Sequence, residues 1–118
     1  MTMDLMRKQR LQDAGIDVDS ALERFMNNEA LLERFLGKFP ADPNHDRLAQ
    51  AIAAGDREGA LTAAHTMKGV CGNLSMTALF ELLTRQVAAF RADDWEGAVA
   101  MMPELDRMYD GLCAAIGS

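Results

Sequence analysis

Apolar residues recur along this chain every three or four positions, and no stretch alternates apolar with polar. That period belongs to helices that bury one face. Alanine, leucine, methionine, glutamate and arginine dominate and β-branched residues are sparse, so local propensity agrees with the period. There is no Asn-Gly or Asp-Gly hairpin signal, no internal repeat and no low-complexity tract.

Turn residues divide the pattern into elements. A first short helix is predicted from Thr2 to Asp13, ending at Gly15. Asp17 or Asp19 caps a second through Phe25, and Asn27-Asn28 interrupts it. Glu29 to Phe39 carries Leu31, Leu32, Phe35, Leu36 and Phe39 at helical spacing, with Pro40 and Pro43 as breakers. Asp42-Pro43 opens a helix to Ala54, and Gly55-Asp56 ends it and starts the next. From Asp56 to Leu74 a core face is marked by Ala60, Ala63, Ala64, Met67, Val70, Cys71 and Leu74. Ser75 is expected to cap a helix over Met76 to Arg91, with Leu79, Phe80, Leu83, Val87 and Phe90 facing inward. Asp93 or Asp94 caps a last helix striped by Trp95, Ala98, Met102, Leu105, Tyr109, Leu112 and Ile116. Pro103 lies in that stripe and predicts a kink or a one-turn irregularity, because it has no amide donor. Substantial helices with short connections predict an all-α fold, an antiparallel up-down-up-down four-helix bundle over about residues 15–116. Short N-terminal helices, including segment 1–14, cap one end of this single domain.

One histidine falls on the wrong face for a core residue. With Met67 at the centre of its stripe and about 100° per residue, the apolar positions lie within about 60° of it, and His65 lies at about 160°. His65 is therefore expected to point into solvent from the middle of a well-packed helix. Lys68 lies one turn away, and Leu61, Thr62, Gly69 and Gly72 share the outer face. A glycine in a helix interior costs about 1 kcal/mol relative to alanine. On an exposed face the pair removes side chains around His65 and lets another protein's backbone approach. His45, beside Pro43-Asn44 at a helix start, is read as a plain solvated side chain.

Composition narrows the function classes. The chain has 118 residues and a net charge of -6, the wrong sign for a nucleic-acid footprint. Apolar residues make up 49% and charged residues 25%, a globular balance rather than a disordered one. Cys71 and Cys113 sit among apolar neighbours and read as buried free thiols in a reducing compartment. The apolar runs are too short to span a membrane and the N-terminus has no secretory apolar region, so a cytoplasmic monomer is expected. The initial methionine favours a free-standing protein over an excised domain.

An exposed imidazole is a nucleophile at neutral pH. Without a pocket it suits transfer to a large partner that completes the site. A phosphoryl group on the ring would carry about two negative charges, part of which Lys68 can neutralise. At these residues, His65-Thr66-Met67-Lys68-Gly69-Val70-Cys71-Gly72-Asn73-Leu74, the chain resembles the signature of histidine-containing phosphotransfer (HPt) domains. Gly15-Ile16-Asp17-Val18 with Ala21-Leu22-Glu23-Arg24-Phe25, and Ala53-Ala54-Gly55-Asp56, resemble the family's opening and its lead-in to the histidine helix.

The resemblance implies a four-helix bundle that relays a phosphoryl group between aspartates of response-regulator receiver domains. It makes His65 the phosphoacceptor, Lys68 the residue that meets the phosphoryl group, and Gly69 the small residue that gives the receiver access. Leu61, Thr62 and Gly72 complete the expected docking face. Gln86 is a candidate for orienting the imidazole, with a plain surface glutamine as the alternative. Ser75 stands where the family usually has a glycine. The partners implied are receiver domains and a hybrid sensor histidine kinase, with no nucleic acid and no membrane. No intrinsic cofactor or metal is expected, the divalent metal (Mg) lying on the receiver.

A sensor-kinase dimerisation helix fits less well, since Thr66 and Gly69 stand where its acidic residue and proline belong. No Gly-rich ATP module is present, so the chain is expected to be a phosphocarrier without ATP-dependent kinase activity. The histidines and cysteines lack ligand spacing, and no Gly-x-Ser-x-Gly element occurs. The competing reading is a non-catalytic helical protein-interaction module, in which His65 is dispensable.

Overall fold

Five side chains start helices in the same way. Asp4, Asp17, Asn28, Asp56 and Asp94 each accept a hydrogen bond from a backbone amide two or three residues on. They open α1 (Leu5–Asp13), α2 (Val18–Arg24), α3 (Glu29–Lys38), α5 (Arg57–Asn73) and α7 (Trp95–Ala100) by satisfying amides that the first turn leaves without partners. A 3-10 turn over Phe39–Ala41 joins α3 to α4 (Asn44–Ala53), and α6 (Thr77–Arg91) and α8 (Met102–Gly117) complete the chain. The computed structural model describes residues 3–118. Thr2, where the first helix was expected to begin, lies outside them.

The open choices resolve by geometry. Asp17 rather than Asp19 caps α2. Asp94 rather than Asp93 caps α7, and Asp93 takes the left-handed conformation that ends α6. The last helix is two helices meeting at Met101, and Pro103 occupies the first turn of α8, where a missing amide costs nothing. Ser75 does not cap α6. It is buried with φ +53, its carbonyl accepts the Asp17 amide at 2.8 Å, and its hydroxyl meets that of Ser20 at 3.1 Å. The serine is thus spent on a left-handed turn that ties the α5–α6 corner to α2. Gly15, at φ +105, makes the corresponding reversal between α1 and α2.

α5 packs against α4 on one side and α6 on the other, and α8 packs against α1, α3, α6 and α7. The molecule measures 45 × 23 × 19 Å, about two helix diameters across. Each long helix therefore has a buried side and a wet side. Leu32, Leu36, Leu48, Leu83 and Leu105 are fully buried between them. Leu82 joins this core, while Phe80 and Phe90, expected inside, are only half-buried. α1 is held by Arg7, whose guanidinium meets Glu33 of α3 at 2.6 Å and donates to the Ser118 carbonyl at 3.0 Å. Among the described residues there is no strand, and no helix is long and apolar enough to cross a membrane.

His45 is not a plain solvated side chain. Its Nε2 lies 2.8 Å from Asp106 Oδ1, and its ring stacks on Tyr109 at 3.9 Å and 4°. The pair pins the start of α4 to α8, and Tyr109 also packs against Phe39 at 5.3 Å.

Burial raises the Cys71 thiol from 9.0 to about 12, and burial, then its bond with Cys113, raises the Tyr109 phenol from 10.0 to about 12. Both groups are neutral in the folded state while their unfolded counterparts ionise. Stability is therefore complete below about pH 9 and falls as pH rises toward 12. Urea midpoints are expected to hold up to about pH 9 and drop steadily from there to about pH 11, with a shallower drop in Cys71→Ala. A flat midpoint over that range would refute the assignment.

Candidate functional site

The site rests on the two-sidedness of α5. Ala60, Ala64 and Cys71 are fully buried, Ala63 and Met67 nearly so, and they form one stripe. Three alanines in that stripe let α4 and α6 approach closely. Val70, assigned to the stripe from sequence, is half-buried at its edge. With the stripe inward, His65 is exposed, and among the described residues no side chain or backbone group hydrogen-bonds its ring. Both ring nitrogens are open to a partner.

Lys68 is half-buried rather than free, because its ammonium sits 5.6 Å from the centroid of the Phe80 ring on α6. A cation over an aromatic face at this range is held by the ring quadrupole. Phe80 therefore stations Lys68 one turn from His65. Sequence reading placed Phe80 in the core and missed this role. The available signal was its distance of twelve residues from Lys68 across a tight helix–helix corner.

The two outer glycines do different work. A Cβ on Gly69 would meet nothing within 4 Å, so its surface is open, as expected. A Cβ on Gly72 would sit 3.2 Å from the Phe80 ring. Gly72 is half-buried and lets Phe80 close over α5; it is a packing glycine, not part of an open docking face. Thr62 is exposed and Leu61 is half-buried against the core. The Thr66 hydroxyl donates to the Thr62 carbonyl at 2.9 Å and is thus turned onto its own helix.

Gln86 neither orients the imidazole nor lies at the surface. It is fully buried, and its amide donates to the Ala98 carbonyl at 3.1 Å and to the Met102 sulfur at 3.2 Å. That places it against the α7–α8 junction, where it ties α6 to the helix break. The reason is register: Gln86 follows Leu79, Leu82 and Leu83 on the inward face of α6.

Gly69→Ala is expected to stabilise the fold by about 0.5–1 kcal/mol, the ordinary helix gain of alanine over glycine. Gly72→Ala should gain less or lose, because Phe80 must shift to admit the methyl. Thermal melts of both variants decide it. Equal gains would mean that Phe80 does not lean on Gly72.

The family model described as the Hpt domain matches residues 30–115. No curated protein and no solved structure matches the chain at a significant level. The match spans α3 to α8 with the α5 histidine helix at its centre, which is most of the chain. The helical architecture, the exposed His65 and the family match converge, and the chain belongs to the Hpt domain family.

Proposed function

We propose that His65 carries a phosphoryl group between aspartates of response-regulator receiver domains, displayed by an antiparallel four-helix core of α4, α5, α6 and α8. The observation that carries this reading is the exposed, unengaged imidazole of His65 with Lys68 stationed one turn away by Phe80. The lone pair of an unprotonated ring nitrogen attacks the phosphorus of an aspartyl phosphate. The P–N bond forms, the P–O bond to the aspartate breaks, and the carboxylate leaves with the electron pair. Reversal onto a second receiver completes the relay. Lys68 offsets part of the phosphoryl charge, and Gly69 keeps the approach clear. Exposed Thr62 and half-buried Leu61 extend the docking face. The divalent metal, Mg, is supplied by the receiver, and a hybrid sensor kinase feeds the relay in the cytoplasm.

His65→Gln is expected to keep the fold, since exposed substitutions usually stay within about 0.5 kcal/mol. It should abolish acid-labile, base-stable labelling by a phosphorylated receiver. Labelling at the parent level would place the acceptor elsewhere and leave the non-catalytic interaction module as the reading.

Charge and access are separable. Lys68→Ala should slow transfer or destabilise the phosphorylated form with little change in receiver affinity. Gly69→Gln should weaken docking and slow transfer in both directions, with stability held or slightly raised. Receiver titrations and single-turnover transfer on both variants test this. If Gly69→Gln docks and transfers like the parent, the receiver does not approach across the glycine face.

A further inference from the structure

Lys68 flanks His65 on the α6 side, and the α4 side carries a second cation, Arg47. α4 turns back into α5 through Ala54, Gly55 and Asp56, and the two helices pack side by side. Arg47 stands eight residues before Gly55 and His65 nine after Asp56, so the antiparallel pair brings them to the same height. Between the helices runs an open polar groove of about 720 Å³, bordered by Arg47, Gln50, Glu58, Thr62 and Thr66. On the wheel Thr62 and Thr66 lie about 60° and 100° to one side of His65, and Lys68 about 60° to the other. The imidazole thus stands between a lysine braced on α6 and an arginine on α4.

The arginine is uncommitted. Arg47 is exposed, and among the described residues no carboxylate pairs with it. The Asp46 carboxylate accepts the Gln50 side-chain amide at 2.7 Å, and Asp56 on the groove wall accepts the Gly59 amide at 2.9 Å. Glu58 lies seven residues before His65, about 10 Å away along α5. No contact inside the molecule therefore uses the guanidinium.

The charge that would meet it follows from the chemistry of the partner. A receiver that holds Mg beside its aspartyl phosphate needs oxygen ligands, carboxylates among them, so the rim that approaches His65 is acidic. A chain with a net charge of -6 repels such a rim at a distance, and cations beside the imidazole reverse the local sign. We propose that Arg47 is a specificity-determining residue of the relay, its guanidinium fork gripping a carboxylate on the rim of the incoming receiver. This rests on the phosphotransfer reading of His65. Packed helix axes lie roughly 8–10 Å apart, so Arg47 stands a helix's width from the ring and addresses the docked protein. Lys68, on the histidine's own helix, addresses the phosphoryl group. The two cations thus divide the work between partner and phosphohistidine.

The test uses the full chain and a phosphorylated receiver domain that labels His65. Receiver affinity, labelling rate and phosphohistidine half-life are measured for the parent, Arg47→Ala, Arg47→Glu and Arg107→Ala. Arg107, exposed on α8, controls for the change in net charge. At about 0.05 M salt Arg47→Ala should weaken binding and slow labelling about tenfold, and Arg47→Glu should do so further, while Arg107→Ala stays within about twofold of the parent. The deficit of Arg47→Ala should shrink at about 0.5 M salt, where exposed charges are screened. The half-life of the phosphohistidine, read after the receiver is removed, should be that of the parent in Arg47→Ala. Parent-like binding and labelling in Arg47→Ala, an equal loss in Arg107→Ala, a deficit that ignores salt, or a shortened half-life would each overturn the assignment. Absence of labelling in the parent itself, with every receiver tried, would instead defeat the phosphotransfer reading and this inference with it.

Discussion

The structure depends on burying one face of α5 between α4 and α6. Ala60, Ala63, Ala64, Met67 and Cys71 must all leave water together, and a helix has no rotation that hides them and hides His65 as well. The histidine's exposure is thus a consequence of the core rather than a separate feature. A polar residue opposite a well-packed stripe is fixed in direction as firmly as the stripe itself. Small side chains add a second effect, since alanine lets the neighbouring helices sit close.

Beside His65, α6 supplies the contact that holds Lys68. Phe80 of α6 closes over Gly72 and lies under the Lys68 ammonium. One aromatic ring thereby couples the packing of the α5–α6 pair to the placement of the charge nearest the imidazole. The corner that sets this register is unusual in its chemistry. Ser75 adopts the left-handed conformation and is tied to α2 through its carbonyl and hydroxyl. A non-glycine residue there costs about 1–2 kcal/mol. Burial of Ser75 and its two bonds offset that cost and fix how α6, and with it Phe80, meets α5.

Helix positions, most caps and the direction of His65 were legible in the sequence because each follows from local rules: period, capping side chains and glycine or proline punctuation. What escaped depended on which residues meet across helices. Gln86 reads as a surface residue on composition alone, but its register with Leu79, Leu82 and Leu83 turns it inward to the Ala98 carbonyl. His45 reads as solvated until α8 brings Asp106 and Tyr109 to it from about sixty residues away in the chain. Gly69 and Gly72 are indistinguishable by residue type and by face. Only the Phe80 ring separates them. The family match covers α3 to α8 and agrees with the motif on α5, yet neither motif nor match distinguishes a glycine kept for access from one kept for packing.

That distinction bears on how a helical surface without a pocket can support group transfer. Such a surface cannot exclude water or surround a reacting group, so in the proposed relay the chain would supply the display and the partner the enclosure. Rigidity and access then compete within a few residues of α5. An alanine at Gly69 would strengthen the helix, and its Cβ would meet nothing inside the molecule. No internal contact therefore demands the glycine, and its cost in helix stability is offset by nothing within the fold. Under the proposed relay, a receiver's backbone approaching beside His65 would account for it. At Gly72 the same cost is offset internally by the Phe80 contact. The two glycines, three residues apart, thus differ in what faces them: Gly72 is matched to the Phe80 ring, and Gly69 faces open space.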